Sequence, residues 1–212
     1  MMKKETVSKI FHILENYYTK NEIIELKYIN NYTLLIAVLL SAQATDKGVN
    51  KATEILFQKA STPEEMIKLG EEGIKQYIKS INYYNTKAKN IIKLSQKLID
   101  EYNSQVPSKR EDLESLAGVG RKTANVVLNI LFNQPNIAVD THVFRVSNRL
   151  GLVKTDNVLD TEKKLNKIVP QQYIKYVNHW LVLLGRYICK AKKPECNKCP
   201  IKEFCKSCKI GK

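Results

Sequence analysis

The stretch Leu116-Ala117-Gly118-Val119-Gly120-Arg121-Lys122-Thr123-Ala124 decides the reading of this chain. An amphipathic segment runs into it, and a strongly apolar one, Arg121 to Phe132, leaves it. Between them lies a Gly-x-Gly turn. Glycine permits positive φ and close approach of the backbone to another molecule. A helix starting at about Arg121 aims its first N–H groups back at that turn, which makes an anion site suited to a phosphate. Lys122 sits in the first turn of the same helix, and eighteen residues later Asp140 opens another.

Outward from this point the pattern is helical almost throughout. Upstream, Ile10, Phe11, Ile13, Leu14 and Tyr17 mark one face of an N-terminal helix, and Tyr32 to Ala42 is apolar on most sides. Asp46 is placed to cap a helix whose inner face is Val49, Ala52, Ile55 and Leu56. Thr62-Pro63-Glu64-Glu65 reads as a cap, a proline at the first helical position and acids in the first turn; Gly70 ends that helix. A short helix to Ile81 is followed by the polar turn Asn82-Tyr83-Tyr84-Asn85 and a longer helix, Thr86 to Tyr102. Ser108-Lys109-Arg110-Glu111 reads as a capping box that starts the helix leading into the glycine turn. Downstream, Asn133-Gln134-Pro135-Asn136 breaks the apolar helix, and further helices span 141–150, 157–168 and 171–186. No segment reads as a strand, Ile137-Ala138-Val139 being too short. The expectation is an all-α protein of about ten helices joined by short loops.

The 212 residues suit one large or two modest domains, and 43% hydrophobic residues supply a real core. A net charge of +14 points to nucleic acid. Thirty of the 35 basic residues are Lys, however, and a compositional bias of the host would give the same excess. The N-terminus lacks a small-residue cleavage site, and the longest apolar run, Leu34 to Leu40, is far too short for a bilayer span. We expect a cytoplasmic, nucleoid-associated monomer with no membrane partner.

All five cysteines lie between Cys189 and Cys208. A disulfide framework would be spread along the chain, so the clustering indicates a metal. The set Cys189, Cys196, Cys199 and Cys205 offers four thiolates over 17 residues, acceptable to zinc or to an iron–sulfur cluster. Cys208 falls outside the set and reads as a spare exposed thiol. From Cys189 onward there are eight Lys and two Glu, including Lys190, Lys192 and Lys193 in the first loop. A metal-pinned, lysine-studded loop can lie along a phosphate backbone.

Two residues carry a reading beyond binding. A lysine usually serves as a solvated or phosphate-binding cation. As a nucleophile, Lys122 must be neutral when it attacks carbon, and both a helix's positive end and partial burial disfavour a second cation there. Asp140 in Val139-Asp140-Thr141-His142 reads as an ordinary N-cap, yet a carboxylate held by N–H donors could also accept a proton or stabilise cationic charge on a sugar.

Several stretches together resemble the endonuclease III family of the helix–hairpin–helix superfamily, which are bifunctional DNA glycosylases and abasic-site lyases. These are Leu39-Leu40-Ser41-Ala42-Gln43-Ala44-Thr45-Asp46, the run from Leu116 through Asn129, Val139 to Val146, His179-Trp180, Gly185-Arg186-Tyr187 and the four-cysteine pattern. The resemblance implies two helical domains flanking a DNA-binding groove. One is a six-helix barrel, here 24–134, holding the hairpin. The other, 1–23 with 135–212, carries a [4Fe–4S] cluster on Cys189, Cys196, Cys199 and Cys205. It also implies Lys122 and Asp140 as the catalytic pair, and duplex DNA with an oxidised pyrimidine or an abasic site as partner. Gly118, Val119, Gly120 and Arg121 would hold the backbone. Gln43 would fill the space of a flipped nucleotide, although a helix-end amide bonded to backbone is the plainer reading of that residue.

Some positions depart from the family pattern. Ala117 replaces a proline before the hairpin, Asn82 a glycine, and Tyr83 an aliphatic wedge. Asn tolerates positive φ, so the turn at Asn82 can survive, and a tyrosine can wedge by stacking. Two rivals stand beside this reading. An adenine glycosylase of the same superfamily would lack Lys122 and extend past Lys212. A non-enzymatic metal-containing DNA-binding protein would leave Lys122 and Asp140 unexplained.

Overall fold

A computed structural model describes residues 2–18 and 24–208. Lys209 and Lys212, two of the tail lysines, lie outside these. The described residues form ten α-helices: α1 Lys4–Tyr17, α2 Asn31–Ser41, α3 Asp46–Lys59, α4 Pro63–Ile78, α5 Tyr84–Tyr102, α6 Arg110–Glu114, α7 Arg121–Phe132, α8 Thr141–Leu150, α9 Val158–Ile168 and α10 Ile174–Leu183. No strand occurs among them, and no described helix is long and apolar enough to cross a membrane. The chain divides into two compact units, a central one, Glu25–Phe132, and a terminal one, Met1–Ile24 with Asn133–Lys212.

The central unit is built on α2. Every residue from Tyr32 to Leu40 is buried. Each large apolar side chain removed from water contributes roughly 1.5–3 kcal/mol. An Asn30–Thr33 capping box starts the helix, and the buried Tyr32 hydroxyl meets Ser95 of α5 at 2.5 Å. Helix α7 packs on α2, and α4 lies along α5. Gly70, at φ 75° and ψ 165°, breaks α4 into two helical runs, as its position suggests.

Three local expectations need correction. The cap of α3 is Thr45, which accepts from Gly48 N at 3.2 Å, and Asp46 is the first helical residue. Ile55 is 53% exposed, because the inner face of α3 runs through Val49, Ala52, Thr53, Leu56 and Phe57 instead. Helix α6 spans five residues, and its N-cap position falls on Lys109, which makes no side-chain cap bond.

In the terminal unit, Val7, Ile10, Phe11 and Leu14 of α1 pack with Val143, Val146, Leu165, Val177 and the fully buried Trp180. The apolar stripe of α1 ends there, since Tyr17 is 52% exposed. The extended run Ile137-Ala138-Val139 is buried and leads into α8. The helix expected over 171–186 is three pieces: a 3₁₀ turn Gln171–Tyr173, α10, and a π turn Leu184–Ile188. A π turn inserts an extra residue and often marks a functional site. Here Cys189 N bonds Leu184 O at 2.6 Å, so the widened turn delivers the first cysteine.

Candidate active site and cysteine loop

In the central unit one face of α5 lies beside several of the candidate residues. Tyr83, Lys87 and Asn90 recur at helical spacing. Tyr83 precedes the helix at φ 61° and is 64% exposed. Positive φ costs such a bulky residue about 1–3 kcal/mol and persists where the surroundings enforce it. The expectation that Asn82 would take the left-handed angle is therefore wrong by one residue. Asn82 instead donates its side-chain amide to Gln43 O at 2.9 Å. Gln43 is exposed and itself left-handed, at φ 55°.

Lys87, which the sequence reading missed, is buried, and its ammonium donates to Leu40 O at 2.9 Å and Ala42 O at 2.6 Å. It closes the carboxyl end of α2 just before Gln43, satisfying carbonyls that no helix partner reaches. Burial pushes this ammonium below its ordinary value. The signal available in the sequence was a lysine on the apolar stripe of α5.

Asn90 lies beneath the hairpin. Gly118 adopts φ +79°, and a Cβ there would come within 2.7 Å of the Asn90 side-chain nitrogen. Gly120 is different: its φ is ordinary and a Cβ would meet nothing within 4 Å. The fold therefore does not require glycine there. Gly120→Ala should leave the melting temperature unchanged. It should weaken binding to duplex DNA roughly tenfold or more, the cost of one or two charge-assisted N–H bonds. Titration of both proteins with labelled duplex checks this; equal affinity would show that the tip makes no close contact.

Val119 is reassigned. It is 5% exposed and its N–H bonds Leu116 O at 3.1 Å, so it anchors the hairpin tip in the core and offers no donor to a phosphate. Arg121 and Lys122 open α7 and are both exposed. The partial burial expected of Lys122 is therefore not found.

In the terminal unit Asp140 caps α8. Its Oδ1 accepts from His142 N and Val143 N, each at 2.9 Å, and its Oδ2 lies 3.7 Å from His142 Nδ1. The same helix grips the cysteine loop through two of the chain's few arginines. Arg145 donates to Cys189 O at 3.2 Å and Gly185 O at 2.9 Å. One turn later, Arg149 donates to Lys190 O at 2.7 Å and Ala191 O at 2.9 Å. Gly185 allows this close packing, since a Cβ would meet His142 Cβ at 2.9 Å. In a chain with five arginines, that pair was the sequence signal for the clamp.

Cys189, Cys196, Cys199 and Cys205 line one pocket floored by Val146, Leu150, Leu184 and Ile188. Among the described residues no three His, Cys, Asp or Glu side chains converge to hold a single ion. Burial pushes the Cys199 thiol up to about 11 and raises those of Cys196 and Cys205. Ionising them in so apolar a place requires a cationic partner. The donor set therefore fits a sulfur-ligated metal group. Cys208 is buried, contrary to the expectation of an exposed thiol, and lines the same pocket.

Of the loop lysines, Lys192 and Lys193 are exposed, whereas Lys190 is paired with Glu195. Glu195 also holds Lys198 at 2.7 Å, and bonds from Lys190 and then Lys198 bring its carboxyl down to about 2. Glu195 thus stays charged at any working pH and restrains two cations. Glu195→Gln should tighten DNA binding and steepen its salt dependence by about one phosphate contact or more, roughly 0.9 in log–log slope per contact. A slope equal to wild type would place these lysines outside the interface.

Residues 36–171 match the family described as HhH-GPD superfamily base excision DNA repair protein. Endonuclease III of Rickettsia prowazekii is 54% identical over 204 residues, covering 96% of both chains. That of Escherichia coli K12 is 54% identical over 181 residues, covering 85% of this chain and 86% of its own. A solved structure of a trapped endonuclease III–DNA covalent intermediate superposes with a TM-score of 0.90 at 45% identity, covering 98% of this chain and 97% of that one. The chain belongs to the endonuclease III family.

Proposed function

We propose that this chain removes oxidised pyrimidines from duplex DNA and then nicks the strand at the resulting abasic site, with Lys122 as the nucleophile. The observation that carries this reading is the position of Lys122, in the first turn of α7 directly after a hairpin whose Gly120 is open to an incoming backbone. The hairpin holds phosphates without reading a base. Gln43 and Tyr83, both left-handed, adjacent through Asn82 and exposed, suit the space left by a nucleotide turned out of the stack. Tyr83 would stack on the orphaned base.

The chemistry follows from the amine. Neutral Lys122 attacks C1′ of the deoxyribose as the bond to the damaged base breaks; the nitrogen then gives up one proton, the C1′–O4′ bond opens with a proton going to O4′, and a protonated Schiff base remains. Loss of a proton from C2′ then expels the 3′ phosphate by β-elimination. Hydrolysis of the Schiff base restores the lysine. Asp140 serves as the carboxylate that accepts a proton from the amine and stabilises positive charge on the sugar while the base departs. Its cap bonds engage one oxygen, Oδ1, and fix the carboxylate's orientation.

Cys189, Cys196, Cys199 and Cys205 would hold a [4Fe–4S] cluster, which when bound supplies four iron–thiolate bonds that pin the loop. Sulfurs set around a pocket suit a group that bonds each thiolate to a different iron. Arg145 and Arg149 fix the loop from below, leaving Lys192 and Lys193 for phosphates.

The test is cleavage of end-labelled duplexes carrying one thymine glycol, one abasic site or no lesion. Excision and nicking of the first two, with the third intact, is expected. Cleavage of abasic DNA alone would restrict the activity to a lyase.

A further inference from the structure

Cys208 belongs to none of the roles above, and its surroundings point to one. It is 8% exposed and shares the pocket of the four candidate ligands. What places it there is backbone. Lys206 N bonds Leu150 O at 3.3 Å and Ser207 N bonds Arg149 O at 3.2 Å, so the segment is stitched to the end of α8 and turns the next residue inward.

The spacing has a counterpart in geometry. Cys196-x-x-Cys199 and Cys205-x-x-Cys208 are the same motif, and both pairs close the same turn: Cys199 N bonds Cys196 O at 3.1 Å, and Cys208 N bonds Cys205 O at 3.4 Å. Two Cys-x-x-Cys turns facing one pocket are themselves a four-thiol set, with Cys189 as the fifth sulfur. The fifth is not remote. Cys208 lines the same pocket as Cys189, Cys196, Cys199 and Cys205.

We propose that Cys208 is a reserve ligand that takes over the iron otherwise held by Cys196. The proposal rests on the reading of this pocket as an iron–sulfur site. In the exchange the iron–sulfur bond to Cys196 breaks as one to Cys208 forms. The proton leaving Cys208 goes to the released Cys196 sulfur, and no electron is transferred. A loop able to exchange one ligand keeps its metal group when the Cys196 sulfur is oxidised or alkylated. Iron sites in which one thiolate is lost without a substitute are otherwise opened to solvent and release metal.

The test compares wild type, Cys208→Ser, Cys196→Ala and the double variant, each purified without oxygen. Iron and acid-labile sulfide per chain and the visible absorption of the cluster are measured, with far-ultraviolet circular dichroism to report folding. Cys196→Ala should keep most of its iron and sulfide, while the double variant holds less than about a tenth of the wild-type amount. Cys196→Ala as empty as the double variant, with wild-type helix content, overturns the proposal. Equal iron in Cys196→Ala and the double variant at a high level overturns it too, since Cys208 is then not the substitute. A colourless wild type without iron removes the iron–sulfur reading itself, a failure visible before any variant is compared.

Discussion

Lys122→Ala should abolish both base release and strand cleavage, by roughly 10³-fold or more in kcat, while the protein remains folded. The size of the effect follows from the role. A nucleophile that forms the covalent intermediate has no substitute on α7, because Arg121 stays protonated in proteins and Thr123 offers a hydroxyl without an adjacent base in its sequence. The fold should be indifferent. Lys122 is exposed in the first turn of a helix, and alanine there is the better helix former. Substitutions at such sites usually stay within about 0.5 kcal/mol. Affinity for abasic duplex should fall only by the share of one phosphate contact, read as a loss of about 0.9 in the salt slope at most. Loss of turnover with binding retained separates the nucleophile from a merely phosphate-binding lysine, which would lose both together.

Asp140→Asn is the second large effect. Asparagine caps a helix as well as aspartate does, so the bonds to His142 N and Val143 N should survive and the melting temperature should hold. The charge is gone, and with it the proton acceptor. General acid–base groups contribute about 10²–10⁴-fold, and turnover should fall within that range. Asp140→Ala is the control. It removes the cap as well, costing about 1 kcal/mol and lowering the melting temperature by roughly 2–4 °C. An Asp140→Asn protein with full turnover would leave Asp140 as a cap and nothing more.

The helical class, the position of most helices and the hairpin were legible because they rest on local rules. Hydrophobic period, capping residues and the glycine pair each act over a few residues. Lys122 and Asp140 were visible as candidates for the same reason, since each sits at a helix start that the sequence marks. What escaped the sequence depends on contacts between distant segments. Lys87 matters because its ammonium reaches carbonyls more than forty positions away, at Leu40 and Ala42. Val119 reads as part of a phosphate-binding loop, yet packing turns it inward. Cys208 looks spare until Lys206 and Ser207 are seen bonded to the end of α8. The left-handed angle falls on Tyr83 and not Asn82, because Asn82 is engaged with the Gln43 backbone. In these cases contacts and packing that local propensity does not encode decided the outcome.

The same contrast explains how the hairpin works. Gly118 is required by the fold, since Asn90 occupies the space a side chain would need. Gly120 is not, since a Cβ there would meet nothing within 4 Å. Directly after it begins the helix whose first turn carries Lys122, so the proposed backbone contact and the proposed nucleophile share one helix start.

The most direct measurement is reductive trapping. The protein is mixed with duplex DNA bearing an abasic or thymine-glycol site, borohydride is added, and the digest is mapped by mass spectrometry. A covalent protein–DNA adduct on Lys122, absent in Lys122→Ala, is the predicted result. No adduct with the wild type, or an adduct mapped to another residue and unchanged in Lys122→Ala, would contradict it.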